Sequence, residues 1–255
     1  MTAIEPPTGS RLSHHLMSHA LMSMIVPQGL YVRARALQLP EAAGDRVGTG
    51  GDGPCLRVLI VGDSSAAGVG VDSQEQALSG QLVKRLSRDH CVEWTLAARI
   101  GATAGSVMSL LDQIEGKEFD IAITALGVND AKNGVSLARW ISTCTALYAR
   151  LQDEFGVKLI CASGMPPVKD FPLLHGPLRW ALSRRAQLFD LAHRGLVQTL
   201  PGVKYLQGPA RLLPEEMSVD VFHPAAPVYR EWARLADALI REHWPQLVSR
   251  PGRVN

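Results

Sequence analysis

The chain predicts an α/β fold, with a mostly parallel sheet of about five strands covered by helices on both faces. Short apolar, β-branched runs alternate with longer amphipathic stretches from Leu56 to the last helical segment. The strand-like runs are nearly continuous rather than alternating, as in strands buried on both sides. Most of them also stop on small or polar residues of chemical interest. In such sheets ligands bind at the carboxyl ends of the strands.

The first strand is "LRVLIV", Leu56 to Val61, ending at Gly62-Asp63-Ser64. In the following "DSQEQALSGQLVKRL", Ser73 and Gln76 have capping-box spacing, and Leu78, Leu82 and Leu86 fall on one helical face. "CVEWTLAA" is the second strand and "AGSVMSLLDQIEG" the helix after it; "FDIAITAL" is the third strand, leading to Gly127-Val128-Asn129-Asp130. "SLARWISTCTALYARLQDEFG" predicts a long helix closed by Gly156, and "VKLICASG" the fourth strand. A helix from about Pro177 to Val197, a short strand at "VKYLQG" and a helix through "VYREWARLADALIREHW" complete the order.

Upstream of this alternation, "EAAGDRVGTGGDGP", Glu41 to Pro54, is rich in glycine and reads as a flexible loop. The expected organisation is therefore an N-terminal segment and Gly-rich linker over residues 1–54, packed on a main domain over 55–250. Within the segment, "LMSHALMSMIV" from Leu16 to Val26 is too short to span a membrane, which takes ~20 residues. It follows an acidic residue, Glu5, and no small-x-small cleavage site comes after it, so the expected location is cytoplasmic. Packing on the domain is the expected role, with contact at a membrane surface the alternative.

Lys and Arg number 26 against 24 Asp and Glu, which lacks the basic excess of an electrostatic nucleic-acid binder. A small, neutral or modestly polar substrate is the expected partner. The four cysteines, Cys55, Cys91, Cys144 and Cys161, lack the paired spacing of zinc or redox motifs and read as buried thiols. No metal is assigned.

Residues after several strands share one edge of the sheet. A serine hydroxyl there becomes a nucleophile only when an oriented base takes its proton. Asp220 and His223, three apart in "VDVFHP", can supply orienter and base. Acyl transfer also needs donors aimed at the developing oxyanion, and the backbone N–H groups of Ser64 and Gly101 and the side-chain amide of Asn129 are candidates. Glycine at 101 suits a close approach of backbone to substrate.

Taken together, these residues resemble the SGNH (GDSL) hydrolases. The four blocks of that family are matched in order by Gly62-Asp63-Ser64, by Gly101 in "IGAT", by Gly127-x-Asn129-Asp130 and by Asp220-x-x-His223-Pro224, although "GDSS" replaces the usual Gly-Asp-Ser-Leu. The resemblance implies a flavodoxin-like three-layer α/β/α sandwich carrying a serine esterase site with no cofactor or metal. It leaves the first fifty or so residues unexplained.

Each motif has an ordinary alternative. Gly-Asp-Ser is a common turn, Gly-x-Asn-Asp a common loop, and an Asp and His three apart a common surface pair. Their joint order favours hydrolysis. Ser65 competes with Ser64 as nucleophile, and the strand-end position and the family pattern favour Ser64. A non-catalytic nucleotide-binding module would need a phosphate-binding lysine that "GDSSAAGVG" lacks, and would have no use for Asp220 and His223. A retired scaffold would not need the tetrad. Of the other histidines, His14, His15 and His19 lie in the N-terminal segment, His90 and His193 among charged helix ends and His243 in the last helix. Only His175, in the proline-rich insert after the fourth strand, borders the expected crevice.

That insert, Met165 to Leu178, supplies Met165, Pro166, Phe171 and Leu174 as expected substrate contacts, an apolar wall stiffened by prolines. Short- to medium-chain carboxylic esters are the expected substrates. Carbohydrate acetyl esters, lysophospholipids and acyl thioesters are the alternatives, because the tetrad does not encode the leaving group.

Overall fold

The computed structural model describes residues 25, 27–32, 34–35, 37–114 and 118–248. The apolar run from Leu16 to Val26 lies almost wholly outside them, as do His14, His15 and His19. Residues 27–32 are helical and are called α1. The chain then runs β1 (Val47–Gly50), β2 (Cys55–Gly62), α2 (Leu78–Leu86), β3 (Cys91–Ala98), α3 (Met108–Leu111), β4 (Ile121–Ala125) and α4 (Val128–Lys132). It continues with α5 (Leu137–Asp153), β5 (Leu159–Ser163), α6 (Gly176–Thr199), β6 (Val203–Leu206) and α7 (Ala226–Val248).

Six strands form one sheet in the order β1-β3-β2-β4-β5-β6, and every neighbouring pair is parallel except β1 with β3. The order reverses direction at β2, so the crevice between the β2 and β4 ends on one side and the β3 end on the other is where a ligand belongs. Alternation along β2 divides its side chains between two cores. Leu59 and Val61 pack with Trp140, Leu147 and Phe189 of α5 and α6, whereas Val58 and Ile60 pack with Leu82 of α2 and Tyr229 of α7. Both faces of the strand are thus dry, which accounts for its unbroken apolar sequence.

The five expected strands are all present, and the structure adds a sixth. Val47–Gly50, within the stretch read as a flexible loop, pairs antiparallel with β3 from Val47↔Thr95 to Gly50↔Val92. Its glycines hide it from a propensity argument; what makes it a strand is an unpaired β3 edge.

The helices follow the apolar periodicity with three departures. Leu78, Leu82 and Leu86 are buried on one face of α2, but its N-cap is Ala77, and no Ser73–Gln76 capping box forms. The reason is Gln74, a buried side chain whose amide donates to the carbonyls of Ala42 and Ala67 and holds 72–77 in turns. The helix expected from Ala104 to Gly116 is reduced to Met108–Leu111. Conversely, residues 128–132 after β4 are helical rather than loop. For α5, Ser136 is the N-cap, its Oγ accepting from the Arg139 N–H at 3.2 Å.

Cys144 and Cys161 are buried as expected, but Cys55 is exposed and Cys91 half-buried, because both sit at strand starts where the helical layer has ended. His193 is also not at a charged helix end. It is buried in α6, its Nε2 2.5 Å from the Tyr148 hydroxyl, and burial pushes its pKa down to about 4. Among the described residues no helix is long and apolar enough to cross a membrane.

Candidate active site

Strand β2 ends against the middle of the sheet, and the Asp63 N–H donates to the Ala125 carbonyl at 3.1 Å, so Asp63 and Ser64 start at a fixed height above β4. The chain then coils tightly, with Ala67 N–H donating to Asp63 O and Val69 N–H to Ser64 O, each at 3.0 Å. Asp63 is buried and accepts from both the backbone N–H (3.0 Å) and the hydroxyl (2.6 Å) of Ser65. The two adjacent serines are thereby distinguished: the hydroxyl of Ser65 is held by Asp63, and that of Ser64 faces His223.

The Ser64 Oγ lies 2.9 Å from His223 Nε2, and His223 Nδ1 lies 2.5 Å from Asp220 Oδ2. With the Nδ1 proton donated to the carboxylate, Nε2 is left to accept from the serine hydroxyl. Asp220 is itself surrounded by donors, its Oδ1 accepting from the Ser218 hydroxyl (2.6 Å), the Phe222 N–H (3.0 Å) and the His223 N–H (2.9 Å). Burial opposes its ionisation, but the bonds from His223, Ser218 and Phe222 outweigh that and hold the carboxyl well below the usual carboxylate range.

The turn that brings Asp220 and His223 together is strained. Val221 between them has φ +52°, a left-handed conformation that costs a β-branched residue ~1–3 kcal/mol. Closure of the loop by Ser218 N–H donating to His223 O at 2.8 Å, and a tie from Leu173 N–H to Val221 O at 3.3 Å, maintain it. Position 221 thus places its neighbours rather than itself.

The candidate oxyanion donors come from three separate elements. The backbone N–H groups of Ser64 and Gly101 have no acceptor among the described residues. Asn129, in α4, is buried, and its amide nitrogen is 3.0 Å from the Ala102 carbonyl and 3.4 Å from Asp63 Oδ2. Asp130 accepts from Ala104 N–H at 3.1 Å. Burial pushes both the Asp63 and Asp130 carboxyls up. Gly101 has φ +76°, a conformation that itself favours glycine, and a Cβ there would meet nothing of the protein within 4 Å. Backbone conformation, not crowding by the protein, selects glycine.

A cavity opens beside Ser64, His223 and Asn129, walled by Leu126, Phe171, Leu212, Met217, Val228 and Trp232. Of the four expected substrate contacts, Pro166 and Phe171 line it and Met165 and Leu174 do not. Met165 turns to the far side of the proline pair, its N–H donating to Asp190 at 2.9 Å, and Leu174 is buried with Val168 and Leu178. Between the two lies a 3-10 turn at Val168–Asp170, entered from Pro167. His175, the N-cap of α6, is exposed and is not on the cavity wall. The walls contributed by α7 escaped the sequence reading, although Val228 and Trp232 have i, i+4 spacing; the Trp232 Nε1–H donates to Ser163 Oγ at 3.2 Å.

Sheet, crevice and the linked serine, histidine and aspartate define the class of an α/β hydrolytic enzyme. Residues 60–231 match the GDSL-like Lipase/Acylhydrolase family, and the chain belongs to that family, as a carboxylic ester hydrolase. Among solved structures, the family 3 carbohydrate esterase of Clostridium thermocellum superposes with a TM-score of 0.60 at 14% identity, covering 76% of this chain and 98% of its own. The lipase Lip_vut3 from a goat rumen metagenome gives a TM-score of 0.58 at 17% identity, covering 72% and 96%. The acetylxylan esterase Axe2 of Geobacillus stearothermophilus gives 0.52 at 15%, covering 74% and 94%. These likenesses are of fold. Among curated protein sequences none matches the chain.

Proposed function

We propose that the protein is a serine esterase that hydrolyses short- to medium-chain carboxylic esters through an acyl-enzyme. The observation that carries this is the continuous path from Ser64 Oγ to His223 Nε2 (2.9 Å) and from His223 Nδ1 to Asp220 (2.5 Å), at the mouth of an apolar cavity. His223 removes the Ser64 proton as Oγ attacks the ester carbonyl carbon. The carbonyl oxygen becomes an oxyanion, met by the N–H groups of Ser64 and Gly101 and the amide of Asn129. The imidazolium, stabilised by the ionised Asp220, then protonates the leaving alkoxide as the carbon–oxygen bond breaks. Water repeats the sequence on the acyl-enzyme, and the proton returns to Ser64. No cofactor is required at any step.

The lining of the cavity supports the substrate class. Leu126, Phe171, Met217 and Val228 offer an acyl chain an apolar wall, and each methylene buried there favours binding by ~0.8 kcal/mol. The test is a chain-length series of aryl esters set beside acetylated sugars, lysophospholipids and acyl thioesters, on wild type and Ser64→Ala. A maximum among short to medium aryl esters, lost by at least ~10³-fold in Ser64→Ala, is expected. Full activity in Ser64→Ala would end the serine mechanism. A strong preference for sugar acetates, lysophospholipids or thioesters would keep the mechanism and overturn the substrate class.

A further inference from the structure

Residues 41–46 lie outside the family match, which begins at residue 60. They nevertheless touch both turns that carry the candidate backbone donors, Ser64 and Gly101. On the serine side, Ala42 N–H donates to Ala67 O at 3.2 Å, and the Gln74 amide spans the carbonyls of Ala42 (3.1 Å) and Ala67 (3.0 Å). Gly68, with φ +81°, allows this docking, since a Cβ there would lie 2.7 Å from that of Ala42. On the Gly101 side, Glu41 Oε1 accepts from Ile100 N–H at 2.9 Å, and Arg46 Nη1 donates to Ala98 O at 2.6 Å. Glu41 and Arg46 are themselves ion-paired, and the Arg46 carbonyl accepts from Leu96 N–H at 2.7 Å.

The turn carrying Gly101 is therefore pinned on both flanks. Ala98 and Ile100 are held from residues 41–46, Ala102 and Ala104 by Asn129 and Asp130. Between these four points the Gly101 N–H is left with no acceptor among the described residues. Charge-assisted bonds to backbone groups are roughly twice as strong as neutral ones, so Glu41 and Arg46 are suited to fix the turn. We propose that Glu41 and Arg46 are positioning residues that splint the Gly101 turn to the Ser64 turn and set the spacing of the two backbone oxyanion donors.

This inference rests on the esterase reading of the site. The pair matters for geometry rather than stability, because the Arg46 side chain is 39% and that of Glu41 27% exposed, and ion pairs that open to water contribute little to folding. A displaced donor is weaker on charge that exists only in the transition state, so the loss falls on kcat and not on KM.

The experiment compares Glu41→Ala, Arg46→Ala and Glu41→Gln by kcat, KM, Tm and inhibition by butylboronic acid. That probe reports the oxyanion site directly: Ser64 Oγ forms a bond to boron, its proton passes to His223 Nε2, and the tetrahedral boronate carries its negative charge toward the donors. Both alanine variants should lose about tenfold in kcat and about tenfold in boronate affinity, with KM within about twofold. Glu41→Gln keeps an acceptor for Ile100 N–H and should stay within about threefold of wild type, and Tm should move by no more than ~4 °C in any of them. Wild-type kcat and boronate affinity in both alanine variants would overturn the splint, as would a change confined to KM, or losses that simply follow Tm with no rescue by Gln. Ser64→Ala separates the two levels. If it is inactive while Glu41→Ala is unimpaired, the splint alone fails; if it remains active, the esterase reading fails first.

Discussion

Asn129 has two contacts that matter. Its amide holds the Ala102 carbonyl, and it lines the cavity beside Ser64. Asn129→Ala should lower kcat by about 10²-fold, the usual cost of one oxyanion donor, with a small effect on KM. Steady-state kinetics on a single aryl ester checks this, and a change confined to KM would make Asn129 a ground-state binder. His193 gives a prediction about pH. Its pKa is depressed to about 4 in the fold and rises to ~6.5 when the chain unfolds, so the unfolded state binds the extra proton first. Stability contributed by the neutral ring is full above pH ~6.5 and is lost progressively as pH falls toward about 4. Urea titrations of wild type and His193→Gln across that window should therefore converge on acidification. Parallel curves would show that His193 does not titrate with unfolding.

The strand ends were the most legible elements, and for a physical reason. A buried parallel strand must be apolar along its length, so its last residue is marked by the first small or polar one, as at Gly62 after Val61. Asp220 and His223 were legible for the same kind of reason, since three residues in a turn suffice to join them. What sequence could not show was anything depending on a partner distant in the chain. Ser73 and Gln76 have capping-box spacing, but Gln74 between them bonds to Ala42, and β1 is a strand only because β3 offers an edge. Met165 and Leu174 are apolar and close in sequence to the wall, yet Met165 packs on the core around Trp140 and Phe189 and Leu174 on Val168 and Leu178. The α7 wall leads to its own prediction. Trp232→Ala should enlarge the cavity while leaving Ser64, His223 and Asp220 untouched, and so shift the preferred acyl chain by about two carbons or more. Relative kcat/KM across the aryl ester series measures it, and an unchanged profile would place the acyl chain elsewhere.

At the level of the whole chain, the sheet collects onto one edge residues that are far apart in sequence. Ser64 follows β2, Gly101 follows β3, Asn129 follows β4, and Asp220 and His223 precede α7. Residues of three family blocks, Ser64, Asn129 and His223, meet at the cavity because parallel strands point their ends the same way, and the Gly101 turn joins them through the Asn129 bond to the Ala102 carbonyl. The stretch of the chain that the family pattern leaves unexplained includes residues that brace two of those turns. The central claim is that Ser64 is a nucleophile activated by His223. Its most direct measurement is the site of covalent attachment of a fluorophosphonate, mapped by peptide mass spectrometry in wild type, Ser64→Ala and His223→Ala. A single adduct on Ser64 in wild type is expected, with none in Ser64→Ala and labelling slowed by at least ~10³-fold in His223→Ala. An adduct on Ser65, or equal labelling with His223 removed, would contradict it.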